Sequence, residues 1–307
     1  MVITRNLHLS ASDKMPCSLF ILVKITLLAY QLLACRAQMF GSATLTPTSS
    51  SVNSSSSFGL ASLSLNGVAL TYSIVATQLS GTIMAAHFHI GVAGASGLPI
   101  YTICSPCTGF YLTGTWANSS AYSAALANGG TYINIHTAAN ANGEIRGQVI
   151  VPFSAGPPFL AATVLSGSSM TAYGVATFSL NSYGGDLTYT IVATNLTGPI
   201  TKAHFHAGAA GASGNILIAI CSPCSGYKLT GTWTNTTASA MALAMGNVYI
   251  NLHTDAFPAG EIRGQVAVGP ASMMTMTPPT KNAATALAPS SAVLAGFLYA
   301  LIFASIA

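Results

Sequence analysis

Residues 61–76, "ASLSLNGVALTYSIVA", alternate apolar and polar side chains with period two, interrupted once by Asn66-Gly67. That pattern predicts two antiparallel strands joined by a tight hairpin. "TYINIHT" (131–137) and "GEIRGQVIV" (143–151) predict a second pair, joined by the Asn-rich "AANAN". Only "SAYSAALANGG" (120–130) reads as helical, and briefly. Short alternating strands separated by Gly, Asn and Pro turns predict an all-β protein, an antiparallel β-sandwich or barrel.

The pattern occurs twice. One constant offset carries His87 to His204, His89 to His206, Cys104 to Cys221 and Trp116 to Trp233. The same step carries His136 to His253, Glu144 to Glu261 and Arg146 to Arg263. The match runs without a gap from Tyr72/Tyr189 to Val149/Val266, and the second copy carries a longer turn, "NSYGGD". Two tandem domains are therefore expected, over 58–152 and 172–268. A Ser/Thr-rich spacer (38–57) precedes them, a linker (153–171) divides them, and a stalk (269–282) follows.

Composition changes the picture at the ends. Of 307 residues, 51% are hydrophobic and only 5% charged, against about a quarter charged in an ordinary soluble domain. A basic region and a short apolar run within residues 1–37 read as a secretory signal cleaved before Gln38, and Met15 is an alternative start. The apolar tail, 283–307, has no basic residue after it and follows the small residues Asn282, Ala283 and Ala284. This fits a glycolipid-anchor signal attached at Asn282, with a transmembrane tail as the alternative. Asn53, Asn118, Asn195 and Asn235 head Asn-x-Ser/Thr sequons, which suit a glycoprotein on the outer face of the plasma membrane. Between residues 38 and 282, Arg146, Lys202, Lys228, Arg263 and Lys281 face Glu144, Asp186, Asp255 and Glu261. No basic patch remains to bind nucleic acid.

"AHFHIG" followed by "YINIHTAANANGEIRGQV", repeated as "AHFHAG" and "YINLHTDAFPAGEIRGQV", resembles the CHRD domain, named for its copies in chordin. The resemblance implies an extracellular, immunoglobulin-like β fold with no assigned biochemical role. Growth-factor antagonism is not carried over, because it resembles a property of chordin's cysteine-rich modules.

Every histidine after His8 belongs to one of two matching sets: His87, His89 and His136, and His204, His206 and His253. On a strand, residues i and i+2 share a face and lie about 7 Å apart, so His87 and His89 project together. If the strand of His136 lies near, three imidazoles converge, a chemically sensible site for Zn²⁺ or Cu²⁺. The competing reading is a hydrogen-bonded polar network in which Glu144 pairs with Arg146, and Glu261 with Arg263, around the histidines. The His-x-His element is similar to that of Cu/Zn superoxide dismutase, whose copper takes four histidines where each copy here offers three.

In an oxidising compartment, "CSPC" predicts disulfides Cys104–Cys107 and Cys221–Cys224. One zinc site built from all four cysteines is the alternative. Trp116 and Trp233 read as core anchors, or as carbohydrate-stacking rings if they are exposed. No nucleophile elbow, phosphate-binding loop or His-Glu-x-x-His motif is present, so the balance favours a non-catalytic cell-surface binding or structural module. Its partner classes are the membrane, through the anchor, and an extracellular protein or glycan. A metal-binding protein or metalloenzyme is the second reading.

Overall fold

The computed structural model describes residues 39–48, 56–66, 68–151, 159–167, 169, 171–182, 184–266 and 268. The expected signal (1–37), Asn53, the expected stalk (269–282) with Asn282, and the apolar tail (283–307) lie outside them. The first repeat has eight strands: β1 (Met39–Pro47), β2 (Phe58–Leu65), β3 (Leu70–Thr77), β4 (Ile83–Ile90), β5 (Pro99–Cys104), β6 (Tyr111–Trp116), β7 (Thr131–Thr137) and β8 (Ile145–Val149). One short helical segment, Ser119–Tyr122 then Ser123–Ala127, precedes β7. The second repeat repeats the order: β9 (Phe159–Gly167), β10 (Tyr173–Leu180), β11 (Leu187–Thr194), β12 (Lys202–Ala207), β13 (Ile216–Cys221), β14 (Lys228–Trp233), β15 (Val248–His253) and β16 (Ile262–Val266).

Each repeat is an antiparallel sheet curled toward a barrel, in the order β5-β4-β7-β8-β1-β2-β3-β6 and its equivalent. The β2–β3 hairpin closes as its pattern requires, with Leu65 opposite Leu70 and the Asn66 side chain accepting from the amides of Val68 and Ala69. β1 holds the two layers together. Its length pairs with β2, and Thr46 and Pro47 pair with Arg146 and Ile145 of β8.

That strand corrects the domain boundaries. The Ser/Thr character of residues 38–57 read as a spacer, and 153–171 as a linker, yet β1 and β9 lie there as integral strands. In β1, Ala43 and Leu45 face the core while Ser and Thr fill alternate places. Threonine suits a half-buried strand, and small side chains hide the apolar alternation.

Alternation then sorts every strand of the front layer. Ala86 and Phe88 of β4, Ile133 and Ile135 of β7, and Ile145 and Val149 of β8 are buried in one core with Trp116. The indole packs 5.4 Å from the Phe88 ring, and Trp233 sits likewise 5.2 Å from Phe205, so both tryptophans are core anchors. The residues between these point away from the core, and they include all six histidines.

The two repeats meet through the opposite layers. Phe58, Leu60 and Val75 pack with Val175 and Val192, Tyr111 stacks on Tyr173 at 4.2 Å, and the Lys228 ammonium lies 3.5 Å over the Phe58 ring. Tyr111 and Lys228 are equivalent positions, as are Tyr173 and Phe58. The contact is thus reciprocal, as across a two-fold axis, and none of the six histidines takes part in these contacts.

Candidate metal centre

β7 pairs with β4 so that Ala85 opposes His136, His87 opposes Asn134, and His89 opposes Tyr132. Opposed residues of antiparallel strands share a face, which puts His87, His89 and His136 together. One ligand atom from each lies within 4.8 Å of the others, and His204, His206 and His253 do the same. His87 Nδ1 stands 3.3 Å from His136 Nε2, and His204 Nδ1 stands 3.1 Å from His253 Nε2.

Backbone carbonyls orient the rings. His89 Nδ1 is 2.9 Å from the Gly97 carbonyl, and His136 Nδ1 is 2.9 Å from the Ala141 carbonyl. A carbonyl only accepts, so each Nδ1 carries the proton and each Nε2 presents a lone pair in the neutral ring. His206 and His253 are held alike by Gly214 and Pro258. The Nε2 atoms of His89 and His206 are buried without a hydrogen-bond partner among the described residues, an expensive arrangement for a polar atom.

Glycine makes the first capture possible. A Cβ on Gly97 would stand 1.7 Å from the Ile90 carbonyl oxygen, so only glycine lets the β4–β5 loop close on His89. Gly143 (φ +115°) serves the β7–β8 turn, where a Cβ would lie 2.2 Å from Asn134 Oδ1. These contacts explain why "GASG" and "NGE" accompany the histidines.

Burial, then the neighbouring histidines, hold His87 below its ordinary range, and burial does the same to His89 and His253. His204 is lowered by burial first, then by His253, His206 and Lys202. Neutral imidazole, the ligating form, is the outcome.

Glutamate and arginine do not form the expected ion pair. Glu144 is fully buried and accepts from the Ser57 hydroxyl at 2.7 Å, the Ser80 amide at 2.7 Å, the Thr137 hydroxyl at 2.6 Å and the Asn140 amide at 3.2 Å. The Ser80 hydroxyl adds a further bond. Burial alone would raise its pKa, but these donors together hold it below the ordinary carboxylate value. Arg146 instead lies 3.7 Å over the Tyr132 ring and donates to the Ala95 carbonyl. Tyr132 stacks on His89 at 4.8 Å, so the arginine borders the histidines through an aromatic ring. Arg263, Tyr249 and His206 repeat the arrangement. Glu261 accepts from Thr197 and Thr254. Sequence reading missed these hydroxyl donors because Ser and Thr are everywhere in the chain. Their only signal is their recurrence near the same place in both copies.

The cysteines pair locally, Cys104 with Cys107 and Cys221 with Cys224, which removes the shared four-cysteine zinc site. Each bridge closes the loop that leaves β5 or β13. Asn118, Asn195 and Asn235 are exposed, although the Thr197 hydroxyl of the Asn195 sequon is engaged by Glu261.

The CHRD domain model matches residues 41–149 and again 161–266. The chain belongs to the CHRD domain family. Both matched spans begin inside the first strand of a repeat, in agreement with the boundaries set by β1 and β9. No curated protein matches the chain. A CHRD copy here is one eight-stranded sheet curled toward a barrel, of a type found in extracellular proteins, with its histidine set on the outer face of the front layer. Among the described residues no helix is long and apolar enough to cross a membrane.

Proposed function

We propose that this protein is a secreted, membrane-anchored pair of CHRD domains, each binding one divalent transition metal, Zn²⁺ or Cu²⁺, through three histidines. The observation that carries this reading is the convergence of three imidazoles, two of which, His89 and His136, have their outer nitrogens fixed by backbone carbonyls. At a metal–nitrogen distance of about 2.0–2.1 Å, tetrahedral geometry sets ligand nitrogens about 3.3–3.4 Å apart. The His87–His136 separation of 3.3 Å fits that value, and the 3.1 Å of His204–His253 needs little adjustment. Carbonyl-bonded rings are also how metal-ligating histidines are ordinarily oriented. On binding, His87 would carry its proton on Nε2 and give its Nδ1 to the metal, replacing the bond to His136. The buried Nε2 of His89 would gain the partner it lacks.

The reading is of binding rather than catalysis, since the groups around the histidines are carbonyls, a tyrosine and an arginine engaged in stacking. Anchoring at Asn282 and glycans on exposed Asn118 and Asn235 complete the cell-surface reading, supported by the terminal apolar segments and the equivalent sequons. Protein purified from cells and dialysed against trace zinc or copper should retain two metal ions per chain by elemental analysis. His89→Ala should leave one, and His89→Ala with His206→Ala none. Retention of two ions by the double variant would overturn the assignment.

A further inference from the structure

Among the differences between the two sites, one brings a charge to the histidine strand itself. Lys202 stands in the second repeat where Ala85 stands in the first. It opens β12, two residues before His204, and is the ladder partner of His253. Alternation puts Lys202, His204 and His206 on one face. His206 lies at the end covered by the β12–β13 loop, through the Gly214 carbonyl, and Lys202 lies at the other end. Lys202 is exposed, and no carboxylate or carbonyl among the described residues takes its ammonium.

A cation beside three neutral ligands repels an incoming metal ion. The two charges become compatible when an anion lies between them. Three imidazoles leave a tetrahedral ion one open position and its whole double charge, and the ammonium, which has no lone pair, cannot fill that position. We propose that the second CHRD repeat takes its metal together with a small anion, such as a carboxylate, in the fourth position, held by Lys202. The first repeat, with Ala85 at that place, leaves the same position to water. The proposal rests on the metal-binding reading above.

Azide titration of the copper-loaded full chain, followed by its ligand-to-copper charge-transfer band, tests both readings separately. Two classes of azide binding are expected, one per site. Lys202→Ala should weaken the tighter class about threefold to tenfold, the Coulombic effect of one nearby charge partly exposed to water. Lys202→Arg should preserve it, and Ala85→Lys should bring the first site to the tighter class. Added salt should shrink the difference. Unchanged azide affinity in Lys202→Ala, with copper bound at both sites, overturns the anion proposal alone. Loss of any copper-dependent band in the native chain overturns the metal reading and this inference together.

Discussion

In the first repeat, Glu144 draws on Ser57, Ser80, Thr137 and Asn140. In the second, Ala172 and Phe257 occupy the places of Ser57 and Asn140, and Glu261 keeps the hydroxyls of Thr197 and Thr254. The rims differ as well. Val92 and Leu98 beside the first site are 61% and 77% exposed, whereas the second has Ala209 and Asn215 there, with Lys202 replacing Ala85. Tyr101, which stacks on Trp116 at 5.1 Å where β5 meets β6, is replaced by Ile218. Through all of this, the histidine separations, the carbonyl contacts and the His–Tyr–Arg stack are reproduced. Divergence has therefore fallen on what surrounds the imidazoles and on how firmly the carboxylate is held. The parts that aim the imidazoles are common to both copies.

The sharpest way to break the comparison is to disable one aiming device. Gly97→Ala forces the β4–β5 loop off Ile90 and withdraws the carbonyl that orients His89. Metal content should fall from two ions to one, with a loss of stability of about 2–4 kcal/mol from the backbone clash. Gly214→Ala should do the same to the second site alone, since its Cβ would stand 1.7 Å from the Ala207 carbonyl oxygen. Full metal content in either variant would show that the carbonyl contact does not matter to binding.

A smaller difference should separate the carboxylates. Glu144→Gln should cost about 2–3 kcal/mol in chemical denaturation, because hydroxyl donors would then face an amide that cannot accept from all of them. Glu261→Gln should cost about 1 kcal/mol less, having fewer such donors to leave unsatisfied. Equal losses would remove the contrast. The acid response follows from sign. The folded pKa of Glu144 lies below its ordinary value of 4.5. Its contribution is therefore complete above about pH 4.5 and lost as the pH falls through the folded value. The Glu144→Gln variant should show a correspondingly shallower fall in melting temperature over that acid range.

Least of all should be the metal affinities in the absence of coordinating anions. Lys202→Ala should tighten zinc binding at the second site about threefold, and Ala85→Lys should loosen the first by the same factor, as one partly solvated charge permits. Calorimetric titration reads both. A change of opposite sign would mean that Lys202 is not near the bound ion.

The sequence by itself determined the duplication, the all-β class, the local disulfides and the sharing of a face by His87 and His89. These follow from period-two alternation and from one offset that carries Cys104, Cys107, His87, His89 and His136 onto identical residues. It also assigned Trp116 and Trp233 to the core. Tertiary structure alone decided the rest, because each outcome depends on partners distant along the chain. The strand β1 was hidden by its Ser and Thr residues until pairing with β2 and β8 gave them a layer to join. His136 reaches His87 only because β7 lies beside β4 in a register that no local pattern specifies. Glu144 and Arg146, two residues apart and on one face by alternation, part company because a cluster of hydroxyls and amides saturates the buried carboxylate while Tyr132 offers the guanidinium a ring. Strand alternation fixes which side of a sheet a residue faces, but the neighbours waiting on that side are set by how the strands are ordered.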